Sequence, residues 1–95
     1  MPVLIGRIET ENGAKYVAQL CKHFAHKIEA SFDGDSGRAA FVYGPAIMDA
    51  DVSGLTVRFA VADPADVEDA KSVIDSHLAK FAFREKISGM VWRHE

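Results

Sequence analysis

The step between apolar residues changes twice along this chain, and that double change most constrains its fold. Between Ala14 and Ile28, the residues Val17, Leu20, Cys21, Phe24 and Ile28 recur at three- and four-residue intervals, the signature of one helical face. From Ile28 onward the step falls to two. Its clearest stretch sets Leu55, Val57, Phe59 and Val61 against Thr56, Arg58, Ala60 and Ala62. Val67, Ala70, Ile74, Leu78 and Phe81 then restore the helical step. Two one-sided helices and a run of short strands must therefore share one core.

Turn chemistry sets the expected boundaries. Val3 to Glu9 reads as a first strand, broken at Asn12-Gly13, and the first helix is expected to end near Lys27. Ile28, Ala30 and Phe32 alternate with Glu29 and Ser31 as a half-buried strand, closed by the turn Asp33-Gly34-Asp35-Ser36-Gly37. Ala39, Phe41 and Tyr43 carry the next strand to Gly44-Pro45, and a short one follows around Ala46 to Met48. Asp63 suits an N-cap and Pro64 the first helical position. Asp66, Glu68 and Asp69 then place negative charge at the positive end of the helix dipole. A last strand is expected from about Ile87 to Arg93.

The order β-α-β-β-β-β-α-β predicts a single α+β domain over residues 1–95. It is a two-layer sandwich with a largely antiparallel sheet and both helices on one face. Its nearest familiar shapes are the TATA-binding-protein-like and helix-grip arrangements, by analogy only. On the other face Ala40, Val42, Ala60 and Ala62 leave apolar surface, from which a homodimer is an expectation.

Composition narrows the function classes. A hydrophobic fraction of 48% with 26% charged residues is that of a folded globular chain. A net charge of −3 argues against a nucleic-acid partner. No apolar run approaches a membrane span, and Met1 to Arg7 lacks the pattern of a signal peptide. One cysteine forbids an internal disulfide and fits a reduced thiol, so the expected location is the cytoplasm.

Three of the four histidines lie in the helical segments. On a wheel of 100° per residue, Tyr16, His23 and Lys27 share one flank of the first helix, while His26 points away and Cys21 points inward. His77 falls inside the apolar stripe of the second helix, with Arg84 two turns further along. The functional reading joins Tyr16, His23, Lys27, His77 and Arg84 into a site for a small anionic ligand, Arg84 supplying a forked donor. A histidine there can also serve as acid or base. The structural reading has His77 buried on a backbone carbonyl, Arg84 capping its helix, and Tyr16 and Lys27 covering the core.

Other chemistries find less support. No His-Glu-x-x-His or Cys-x-x-Cys is present, so no metal is assigned; His23 with His77 across the helices is the one pairing left open. Asp49 to Gly54 matches the start of an EF-hand loop, but Ala60 stands where its bidentate glutamate belongs. No glycine-rich phosphate loop, serine elbow or cofactor motif occurs, and no cofactor is expected.

Three stretches resemble a known family. They are Tyr16 through Lys27, the turn Phe32 to Gly37, and His77 through Glu85. They are similar to the bacterial domain of unknown function 2218, over about Ile8 to Arg93. The resemblance implies no established activity. It implies an association with siderophore-interacting, flavin-dependent ferric reductases, and hence an accessory or binding role near iron uptake. Some similar chains carry a dihydroxyheptenedioate aldolase label, but 95 residues are too few for the barrel such aldolases use. Three functions stay open: a noncatalytic binding or accessory module, a small His/Arg enzyme, and a structural or dimerisation module.

Overall fold

The computed structural model describes residues 2–95. Strand β1 (Val3–Glu9) leads into helix α1 (Gly13–Phe24). Then come β2 (Ala30–Asp33), β3 (Ser36–Phe41), β4 (Gly44–Ala50), β5 (Gly54–Ala60), helix α2 (Val67–Phe81) and β6 (Val91–His94). Among the described residues six strands form one antiparallel sheet in the order β2-β3-β4-β5-β1-β6. The expected α+β architecture stands.

Alternation decides which face carries the helices. Leu4 and Ile8, Leu55, Val57 and Phe59, Ala46 and Met48, and Ala39 point one way and are buried. Val17, Leu20, Cys21 and Phe24 of α1 and Ala70, Ile74 and Leu78 of α2 close over them as one core. Each large apolar side chain so buried contributes about 1.5–3 kcal/mol.

Several segments differ from the sequence expectation: the strand expected around Ala46 to Met48 runs Gly44–Ala50, and a 3-10 turn at Pro64–Asp66 precedes α2. Helix α1 stops at Phe24, three residues before Lys27. His26 N–H turns to the His23 carbonyl, and the Lys27 and Ile28 N–H groups both return to that of Phe24. This tightened turn delivers half-buried Ile28 to the core. At the other end, β6 begins at Val91 rather than Ile87. Between α2 and β6 lie a 3-10 turn at Phe83–Glu85 and Lys86 with φ of 59°.

An aspartate fixes where β6 starts. Asp75 of α2 accepts the Met90 N–H at 2.9 Å and the Trp92 indole N–H at 3.0 Å. The indole lies across Gly6, its partner on β1, where a Cβ would come within 2.9 Å of the ring. Only glycine leaves that space.

On the outer face Val3 stands beside Ala60 and Ala40 beside Pro45. Ile5, Arg58, Ile47 and Arg38 form the next row. The apolar patch expected there is thus narrower. Val42 lies in the β3–β4 turn, 91% exposed, and Ala62 follows β5 with its N–H on the Tyr43 carbonyl. The Asp49–Gly54 turn is held from within: Asp51 accepts the Ser53 and Gly54 N–H groups and the Arg7 guanidinium. Arg7 and these donors hold its carboxyl well below the usual range.

Candidate ligand-binding site

A cleft of about 400 Å³ opens where the end of α1, the middle of α2 and the β3–β4 turn come together. Phe24, Phe41 and Ile28 line its floor, and Val42, Tyr43 and Val73 its sides. His23, His26, Lys27 and His77 supply its polar groups. This size and this mix of apolar wall and few polar groups are those of a small-molecule site.

Aromatic rings run continuously from the core to this opening. Buried Phe59 lies 5.2 Å from Phe41, Phe41 is 4.9 Å from Phe24, and Phe24 is 5.0 Å from His77. His77 and His23 follow at 4.6 Å between ring centroids, tilted by 48°. Phe81 closes the far side of His23 at 6.0 Å. Edge-on ring packing of this kind fixes orientation as well as burying area.

The two imidazoles differ in their commitments. His77 Nδ1 lies 2.7 Å from the carbonyl oxygen of Val73, one turn back on α2. A carbonyl only accepts, so Nδ1 carries the proton and, in the neutral ring, Nε2 keeps its lone pair. His23 is exposed at the end of α1. Partial desolvation, then the charges of His77, Lys80, His26 and Lys27, lower its pKa and favour the neutral ring.

The structure therefore brings together His23, Lys27 and His77 from the group read in the sequence. Tyr16 and Arg84 stand apart from them. Tyr16 is buried at the opposite end of α1 and donates its hydroxyl to Glu85. Glu85 also accepts from Thr10 at 2.7 Å and from Asn12 at 3.2 Å. Burial first, and Glu85 second, push the Tyr16 phenol up to about 12, while Tyr16, Thr10 and Asn12 lower the Glu85 carboxyl. Arg84 lies in the 3-10 turn after α2, its guanidinium 5.8 Å from the Phe83 ring centroid. Lys27 is thus the cation that lines the cleft beside the histidines.

His26, expected to point away, joins the cleft lining because the helix ends before it. Phe41, Tyr43 and Val73 were legible only as strand and helix residues; nothing local marks them as cleft walls. Cys21 sits inside the core, its Sγ 4.0 Å from the Met48 sulfur, and burial raises its pKa, as for an inert thiol. A broader depression of about 520 Å³ lies between β1 and residues 86–91. It has no histidine, and its Arg7 is engaged by Asp51, Ser53 and Thr56.

Fold and cleft define a class: a small two-layer α+β domain with one polar-rimmed aromatic cleft between its helices and a strand turn. Within that class the chain belongs to the bacterial family described as "Uncharacterized protein conserved in bacteria (DUF2218)", whose model matches residues 5–93. The NMR structure of PA4090 from Pseudomonas aeruginosa is similar over 98% of this chain and 96% of that one, with a TM-score of 0.79 and 25% identity. No functionally curated protein matches the chain. No helix among the described residues is long and apolar enough to cross a membrane.

Proposed function

We propose that this domain is a noncatalytic binding module, and that its cleft takes a small ligand with an aromatic body and an anionic group. The observation that carries this reading is the His23–His77 pair set on an aromatic floor beside Lys27. The rings match a flat apolar body, Lys27 and the one N–H of neutral His23 offer donors to a carboxylate or catecholate, and His77 Nε2 accepts from a phenol. The role proposed is an accessory one in siderophore or iron handling in the cytoplasm, since catechol carboxylates have this chemistry. A direct partnership with nucleic acid or membrane is not part of it.

Calorimetry with 2,3-dihydroxybenzoate, its ferric complex, ferric citrate and neutral catechol tests the reading. The carboxylate is expected to bind more tightly than catechol, and Lys27→Gln to remove that preference. Equal binding of acid and neutral analogue, or none of either, would overturn it. Tighter binding of the ferric complex than of the free acid supports the iron-handling role.

A second reading rests on the outer face, where Val3, Ala60, Pro45 and Ala40 leave an apolar row. It proposes a homodimer through that face. Sedimentation of wild type and Ala60→Glu decides it: a monomeric wild type contradicts the dimer, and a dimer dissociated by the substitution supports it.

A further inference from the structure

We infer that His23 and His77 form a two-imidazole site for a borderline divalent transition ion, which enters as the chelate of an anionic ligand. The inference rests on the cleft being a ligand site and adds what completes that ligand. Two imidazoles bound to one ion at ~2.0–2.1 Å from each nitrogen, near the tetrahedral angle, hold their centroids roughly 5 Å apart. The observed separation is 4.6 Å. His77 is already oriented as metal-ligating histidines are, with one ring N–H on a backbone carbonyl and the other nitrogen unprotonated in the neutral ring. The two rings come from different helices and are fixed by Phe24 and Phe81, so little side-chain freedom is lost on binding.

The surroundings select the form of the ion. Among the described residues no group of three His, Cys, Asp or Glu side chains is placed to hold a metal. Two coordination positions or more then stay open toward the 400 Å³ cleft. Beside its partner His77, the groups near His23 are Lys80, His26 and Lys27, and the two lysines repel a bare cation. An anionic chelator cancels that repulsion, fills the open positions and meets Lys27. Imidazole donors suit copper(II), nickel(II) and zinc(II), with copper(II) the strongest.

Titration of the full chain with copper(II) and with zinc(II) tests this, each alone and with one equivalent of 2,3-dihydroxybenzoate. The expected result is at least tenfold tighter metal uptake with the chelator present, and electron spin-echo spectra of the copper complex showing two equatorial imidazoles. His23→Ala, at an exposed position, should weaken uptake at least tenfold and leave one imidazole. His77→Ala should do the same, while His26→Ala and His94→Ala change neither. One imidazole or none in the wild type, or equal loss on replacing His26 or His94, overturns the site. If the metal-free carboxylate binds and the metal does not, the cleft reading stands and this inference falls. If neither binds, both fall.

Discussion

The two ends of α1 both meet the segment from His77 to Glu85 and solve opposite problems. At the first end Tyr16, Thr10 and Asn12 all donate to Glu85, so these three side chains are matched by one carboxylate. At the last end the helix stops early, and His23, His77 and Lys27 remain around an open cleft over edge-packed phenylalanines. A satisfied polar cluster locks a fold, whereas polar groups at the rim of an apolar cleft leave valence for a ligand. One end of the helix holds structure; the other is offered to solvent.

The sharpest way to break this contrast is Phe24→Ala, because Phe24 is 6% exposed and serves both core and cleft floor. It should cost about 3–5 kcal/mol in chemical denaturation and abolish ligand uptake. Tyr16→Phe acts on the closed end alone. It should cost about 1 kcal/mol, by loss of one part-buried hydrogen bond, and leave ligand affinity unchanged. An equal loss of affinity would merge the two ends into one site.

Acid should separate the ends by pH. The His23 pKa lies below its ordinary value of 6.5, so stability is full above that value. It then declines as pH falls from 6.5 through the lowered folded pKa, because the unfolded chain takes up that proton more readily. The Glu85 carboxyl is also lowered, from 4.5, so its contribution is full above 4.5 and is lost below it. Melting curves from pH 8 to 3 should show both declines, with His23→Gln removing only the upper and Glu85→Gln only the lower. The smallest expected effect is that of Arg84→Ala, which should leave both the melting temperature and ligand affinity unchanged, since Arg84 lies over Phe83 and away from the cleft lining.

What the sequence shows of this contrast follows interaction range. Strand β5 and the stripes of both helices are written in consecutive residues, so alternation and helical period reveal them. The Asp63 signal is equally local, but its side chain, accepting from the Ala65 N–H at 2.9 Å, caps the 3-10 turn Pro64–Asp66, and α2 itself starts at Val67. The helical wheel places His23 and His77 on definite flanks, because each side chain projects at a known angle from its own helix, but leaves open whether those flanks meet. The separation of Tyr16 from them is not legible there, since its partner Glu85 lies 69 residues away. A helical wheel also assumes that the helix continues; α1 does not, which turned His26 into the cleft. Nothing local marks Asp75; only the return of β6 across Gly6 gives it Met90 and Trp92 to hold.

The most direct test of the account is a map of backbone amide shifts while 2,3-dihydroxybenzoate is titrated into the labelled protein. The account predicts saturable shifts at His23, Lys27, Val42, Tyr43 and His77, with the amides of Thr10, Asn12, Tyr16 and Glu85 unmoved. Shifts centred on the Tyr16–Glu85 end, on the depression beside Arg7, or nowhere at saturating ligand would contradict it.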